Sequence, residues 1–313
     1  MIVLTASTPV TIGLPRALLY YRYGPLGRTF FQSLGLKTVV SPPTSRKILD
    51  QGTALAQDET CLSAKIFLGH VQELVGTCDY ILIPRISNFG RWRNMCTRFE
   101  GLYDATRSIF RGSGQEFLSY NVDVLQELEE EAAFLTLGQS LGFPPKGVKK
   151  AYAAAKKQEQ QVWKAKLRAQ DQLYRAQGLK ILLVGHSYIL DDPFVGKVII
   201  DALKQADVVP IRADIVDRNA ALKASPKLSP TCKWEYSREL VGSIALHRDQ
   251  VDGIILLSAF PCGPDAMVNE LLVRRLKGIP VLNMVLDGQS GTAGVETRLE
   301  SFVDIIRFKE GSL

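Results

Sequence analysis

The sequence has few cysteines and no long apolar run. No window approaches roughly 18 consecutive apolar residues, so a membrane-spanning helix is not expected. Five cysteines in 313 residues are few and odd in number, which excludes a disulfide framework. Met1 to Val10 has no basic segment typical of a secretory signal. We therefore expect a cytoplasmic protein in a reducing environment.

Several short catalytic motifs are also missing. No two cysteines have the Cys-x-x-Cys spacing of zinc ribbons and many ferredoxins. The chain has no Walker A sequence and no Gly-x-Gly-x-x-Gly, so we expect no ATP hydrolysis by this chain. Gly185-His186-Ser187 is an incomplete nucleophile elbow.

The composition is that of an ordinary globular protein. Apolar residues make up 46% and charged residues 22% of the chain. The net charge of +6 comes from basic residues that are scattered rather than grouped, so we expect no nucleic-acid partner.

Apolar strands alternate with amphipathic helices along most of the chain. This order predicts an α/β protein with two open, mostly parallel-sheet, Rossmann-like domains joined by a helical segment, with a cleft between them. The predicted boundaries are 1–121 with Cys61 and Cys96, 122–177 for the helical segment, and 178–313 with Cys262. The segments 85–101 and 214–232 are expected to be loops.

Three of the cysteines lie where strands end or helices begin. Asp58 is a predicted helix N-cap, which places Cys61 in the first helical turn, where a thiolate is stabilised. Cys96 follows in the loop, and Cys262 comes directly after a buried strand. From position alone, it is equally simple to interpret all five cysteines as small, buried hydrophobic residues.

Motifs along nearly the whole chain resemble those of one family. They are Gly13-Leu14-Pro15-Arg16-Ala17-Leu18, Val40-Ser41-Pro42-Pro43-Thr44, Glu59-Thr60-Cys61-Leu62, Gly69-His70-Val71, Gly185-His186-Ser187-Tyr188, Phe260-Pro261-Cys262-Gly263-Pro264-Asp265, and Gly291 with Ala293-Gly294-Val295-Glu296-Thr297-Arg298. The chain is similar to the activase-related (CoA-substrate-specific enzyme activase-related) iron–sulfur proteins of the 2-hydroxyacyl-CoA dehydratase superfamily.

This resemblance implies one 4Fe-4S cluster held by Cys61, Cys96 and Cys262, with one iron left open. It also implies low-potential electrons from a separate ATP-dependent, ASKHA-type activase and an anaerobic one-electron reduction. Cys78 and Cys232 match no cysteine motif of the family and are interpreted as structural.

The candidate catalytic residues are His186, which follows a predicted strand end, and Glu59 and Lys65, which accompany Cys61 in its family motif. His70 lies nine residues beyond Cys61 on the predicted helix, too far to share an iron, so it is expected to support packing or capping.

Three functions follow as hypotheses. The leading one is a dehydratase-like iron–sulfur reductase, with a small anionic molecule or a CoA thioester as substrate. The second is a non-catalytic iron–sulfur electron carrier or scaffold, and the third is a metal-free two-domain protein that binds a small molecule. Whether the protein is an enzyme and whether it forms a homodimer stay open.

Overall fold

The computed structural model describes residues 10–288, 292–309 and 311. The chain divides into two compact units, Met1–Lys164 and Ala165–Leu313, and the boundary falls inside the longest helix, Pro145–Arg175. The predicted division at residues 121 and 178 stays a prediction. None of the described helices is long and apolar enough to cross a membrane.

Unit 1 contains a four-stranded parallel sheet in the order β2-β1-β3-β5, with a separate parallel pair, β4-β6. Its elements are β1 (Thr11–Leu14), α1 (Tyr20–Ser33), β2 (Lys37–Val40), α2 (Arg46–Leu55), α3 (Leu62–Leu74), β3 (Tyr80–Leu82), β4 (Arg85–Asn88), α4 (Thr97–Glu100), α5 (Leu102–Ile109), β5 (Glu116–Leu118), β6 (Asn121–Asp123), α6 (Glu130–Ser140) and the first part of α7 (Pro145–Arg175).

Unit 2 contains a second four-stranded parallel sheet, in the order β10-β9-β7-β8. After the end of α7 come β7 (Leu179–Val184), α8 (Ser187–Leu190), α9 (Gly196–Gln205), β8 (Val208–Arg212), α10 (Arg218–Ala224), α11 (Glu235–His247), β9 (Gly253–Ala259), α12 (Gly263–Arg275), β10 (Val281–Leu286) and α13 (Thr292–Lys309). Every residue of the central strand β9 is buried.

The two sheets have the same topology. In each, the first strand of the sheet pairs with the second on one side and with the third on the other, and the fourth strand follows the third. The strand order therefore reverses direction between β1 and β3 in unit 1, and between β7 and β9 in unit 2. Ligands of open parallel sheets bind beyond the carboxyl ends of the strands at such a switch point.

The structure confirms the predicted fold class and corrects three local expectations. The segment 85–101 contains β4 and α4, and the segment 214–232 contains α10. Helix α3 begins at Leu62 rather than after Asp58. Strands and helices of three to seven residues are too short for their apolar pattern to distinguish them from loops, which explains the first two differences.

The core of unit 1 is aromatic. Phe30 on α1 packs edge-to-face on Phe134 of α6, with ring centroids 4.8 Å apart. Tyr120, which follows β5, lies 4.5 Å from Phe134 by the same measure. Aromatic pairs at these separations contribute beyond the area that they bury, so α6 is anchored to the unit 1 sheet.

Helices α2 and α3 approach so closely that their backbones meet at glycine. A β-carbon added at Gly69 would lie 1.9 Å from the carbonyl oxygen of Ile48, and one added at Gly52 would lie 1.8 Å from that of Lys65. No side chain fits at either position. Gly69 belongs to one of the motifs noted above, and its role is helix packing.

Candidate functional site

A buried polar cluster lies at the switch point of unit 2. His186 comes two residues after β7, and Asp265 lies in the first turn of α12, just beyond β9. Because β7 and β9 are neighbouring parallel strands, their carboxyl ends meet at the same edge of the sheet. His186 Nε2 and Asp265 Oδ1 are 2.8 Å apart and form a hydrogen bond.

Each side chain of this pair shifts the pKa of the other toward its charged form. Burial by itself lowers the pKa of His186, but the carboxylates of Asp265, Asp214 and Glu239 outweigh that effect, and the pKa is raised. Burial by itself raises the pKa of Asp265, but the charge of His186 outweighs it, and the pKa is lowered. Both shifts favour an imidazolium that donates to a carboxylate in the interior of unit 2.

The surroundings hold this pair in place. The ring of Tyr188 stacks on His186, with centroids 4.9 Å apart and an interplanar angle of 21°. Ser237 Oγ donates to Asp265 Oδ1 at 3.5 Å. Asp265 Oδ2 is buried and, within the described residues, accepts no hydrogen bond. Cys262 also lowers the pKa of Asp265, so its thiol lies beside the pair.

The three cysteines predicted as cluster ligands share one local position. Cys61, Cys96 and Cys262 are the N-cap residues of α3, α4 and α12, and each has an extended backbone conformation. The prediction that Asp58 is the N-cap and that Cys61 lies in the first turn of the helix is wrong, because α3 begins at Leu62. A side chain at an N-cap is next to the unpaired N–H groups of the first turn.

The other two cysteines are partly buried thiols with local hydrogen bonds. Cys78 Sγ donates to the carbonyl oxygen of Leu74 at 3.6 Å, and Cys232 Sγ donates to that of Trp234 at 3.9 Å. Burial raises the pKa of both thiols. A β-carbon at Gly13 would lie 2.6 Å from Cys78 Sγ, so Cys78 also packs tightly against β1.

The predicted site residues divide between the two units. Cys61, Cys96, Glu59 and Lys65 belong to unit 1, whereas Cys262 and His186 belong to unit 2. Glu59 is exposed in a turn, and Lys65 Nζ donates to the carbonyl oxygen of Asp58 at 3.1 Å. Searched across the part of the chain that the structure describes, no group of three or more His, Cys, Asp or Glu side chains is arranged to hold a metal ion.

His70 forms a second buried network, at the carboxyl end of β2. Its Nδ1 is 2.8 Å from Ser41 Oγ, and its Nε2 is 2.9 Å from Thr44 Oγ1. The backbone N–H of Arg16 donates to Ser41 Oγ at 2.8 Å, which links the network to the end of β1. His70 therefore joins α3 to two strand ends, in agreement with its expected packing role.

The free energy of unfolding should depend on pH through the hydrogen-bond network of His70. Burial, with help from the charge of Arg16, lowers the pKa of His70 to about 4, from an ordinary value of 6.5. As pH falls, His70 takes up a proton at a higher pH in the unfolded chain than in the folded one. The contribution of neutral His70 to the free energy of unfolding is therefore complete above pH 6.5 and is lost as pH falls toward 4. Between pH 7 and pH 5 we expect a loss of about 2 kcal/mol.

Chemical denaturation of the wild type and of His70→Gln at both pH values measures this loss. Subtracting the pH effect on the variant from that on the wild type isolates the contribution of His70. An equal pH effect on the two proteins would show that His70 is not held neutral by burial.

The pairing of His186 with Asp265 and the contacts of His70 with Ser41 and Thr44 were not predicted from the sequence. The signal in the sequence was the position of His186, Asp265 and Ser41 shortly after strands, whereas His70 lies within α3. The strand order that brings the ends together was not available. Gly291, in the last of the motifs, lies outside the described residues.

The fold and these contacts define a protein of two α/β units, with a buried, hydrogen-bonded histidine–aspartate pair at the switch point of the second. Residues 11–216, about two thirds of the chain, match the CoA enzyme activase uncharacterised domain (DUF2229). The chain belongs to this activase-related family. Cys61, Cys96 and His186 lie inside the matched segment, and Cys262 lies beyond it.

Other comparisons add little. No curated protein matches the chain. The SBP FpvC from Pseudomonas aeruginosa, in complex with Mn²⁺, is a solved structure with 13% identity to this chain; the alignment covers 98% of this chain and 100% of that one, at a TM-score of 0.29. A likeness at this level supports no inference about either fold or function.

Proposed function

We propose that the protein binds one 4Fe-4S cluster through Cys61, Cys96 and Cys262, accepts low-potential electrons from an ATP-dependent activase, and carries out a one-electron reduction. Membership in the activase-related family supports the general assignment. The cluster, the electron transfer and the reaction are the specific content of the proposal.

The observation that carries the proposal is the contrast among the five cysteines. The three in family motifs are the N-cap residues of α3, α4 and α12, each at the start of a helix, and thiolate sulfur is the form that ligates iron. The two outside those motifs are partly buried thiols that donate to backbone carbonyl oxygens and have raised pKa values. The donors are thiols, the ligand type of iron–sulfur clusters; Cys61 and Cys96 belong to unit 1 and Cys262 to unit 2.

A bound cluster with three cysteine ligands would supply an electron and one iron site open to an exchangeable ligand. Beside Cys262, the charged His186 would offset the negative charge of a thiolate and present a proton within unit 2. Asp265 would keep the imidazole charged and fixed in orientation, while Tyr188 covers one face of its ring. In this proposal His186 is the proton donor, and Asp265 positions it.

Glu59 and Lys65 receive a smaller role in this proposal. Lys65 bonds to the backbone of the turn that precedes Cys61, so it supports the conformation of that turn. Glu59 is exposed in the same turn, where it could be contacted by a partner. The ATP-hydrolysing partner is proposed because the chain has no nucleotide-binding motif of its own. A CoA thioester or another small anion is the proposed substrate class.

Anaerobic reconstitution with iron and sulfide tests the proposal directly. We expect about four irons and four sulfides per chain, and a low-temperature EPR signal after reduction with dithionite. Fewer than about two irons per chain would refute the cluster. A shift of the reduced spectrum on adding a small iron ligand such as cyanide would indicate an open iron and favour the reductase. An unshifted spectrum would favour the electron carrier.

A further inference from the structure

Unit 1 has a cavity at the switch point of its own sheet. Leu14 and Pro15 at the end of β1, and Leu82 and Pro84 at the end of β3, form one side of it. The space amounts to about 470 Å³, part of which is open to solvent. It lies at the edge of the sheet where open parallel sheets bind their ligands.

The lining determines the chemistry of a ligand. Phe67, Tyr20, Tyr23 and Tyr120 supply aromatic rings, and none of the described lining residues carries a charged side chain. A charged ligand group in this cavity would be desolvated without a counter-ion, which costs several kcal/mol or more. The cavity therefore suits a neutral, hydrophobic group.

Helix α1 borders the cavity with residues that disfavour a helix. Gly24 and Gly27 line the cavity, and Pro25 lies between them, inside the helix. Each interior glycine costs about 1 kcal/mol relative to alanine. A β-carbon at Gly27 would meet nothing closer than Leu82 Cδ2, at 3.9 Å. Space for a side chain exists at this position, and the sequence leaves it empty.

The turn before this helix is also unusual. Leu18, another lining residue, has a φ of +47°, a conformation that costs a non-glycine residue of order 1 kcal/mol or more. Backbone strain of this kind is concentrated at ligand sites. The strained turn and the two glycines border the same cavity.

We propose that this cavity binds a neutral hydrophobic molecule, or the neutral hydrophobic end of a larger metabolite. This inference is independent of the iron–sulfur proposal, because every lining residue lies in unit 1 and binding needs no cluster. The phenol groups of the tyrosines would supply the few polar contacts.

Fluorescence titration of the full chain with N-phenyl-1-naphthylamine, a neutral hydrophobic probe, tests this site. Gly27→Leu fills the cavity and should weaken probe binding at least about tenfold. Gly27→Ala fits in ordinary contact and should weaken it about threefold while slightly raising the melting temperature. Gly147→Leu is the matched control, since Gly147 is also helical but lines no part of this cavity, and it should bind the probe as the wild type does.

Competition identifies the source of the ligand. If 1-hexanol displaces the bound probe as effectively as the N-acetylcysteamine thioester of hexanoate does, the ligand is a free hydrophobic molecule. Stronger displacement by the thioester would support the acyl end of a larger metabolite. The proposal fails if binding does not saturate, if both Gly27 variants bind like the wild type, or if hexanoate competes as well as 1-hexanol.

Discussion

Replacing Cys262 with alanine is expected to remove the iron–sulfur cluster from the reconstituted protein. Iron should fall from about four per chain to less than one, and the visible absorbance should disappear with it. The physical reason is that thiolate sulfur forms the bonds that hold iron in such clusters, and two remaining cysteines leave half of the irons without a protein ligand. Cys61→Ala and Cys96→Ala should have the same effect.

The other two cysteines provide matched controls in the same units. Cys232→Ala in unit 2 and Cys78→Ala in unit 1 each remove one partly buried thiol with a raised pKa and a backbone hydrogen bond. Both should retain the full iron content. Loss of iron in Cys232→Ala, or full iron in Cys262→Ala, would contradict the ligand set. Melting curves of the metal-free variants establish that each is folded.

Substituting alanine for Gly69 is expected to destabilise unit 1 strongly. The added methyl group would lie 1.9 Å from the carbonyl oxygen of Ile48, far inside van der Waals contact, so α2 and α3 must separate. Overpacking of this kind costs about 3 kcal/mol, and the motion would also disturb the bonds of the adjacent His70. At about 2–4 °C per kcal/mol, the melting temperature should fall by at least about 6 °C.

Thermal unfolding followed by circular dichroism measures this change. Gly147→Ala is the control, because its β-carbon would lie 3.7 Å from Pro144 Cγ, an ordinary contact. Its melting temperature should equal or slightly exceed that of the wild type, since alanine favours a helix. A Gly69→Ala protein as stable as this control would show that the helices are not in backbone contact.

The general architecture could be predicted because its signals are local. Strand β9 is an uninterrupted apolar run, and α7 combines good helix formers over 31 residues. Patterns of this length specify the type of secondary structure locally. The alternation of strands and helices, and hence the parallel sheets, could therefore be predicted from the sequence. Strands of three or four residues, such as β4 and β6, are too short to produce such a pattern.

The sequence by itself determined the class of fold, the motifs and the types of the candidate residues. Only the tertiary structure decided which of them meet. His186 and Asp265 are separated by 79 positions in the chain and bond to each other because β7 and β9 are neighbours. Strand order depends on packing between distant segments, as does the cavity beside Gly27. Such contacts form through space, and no local pattern of residues encodes them.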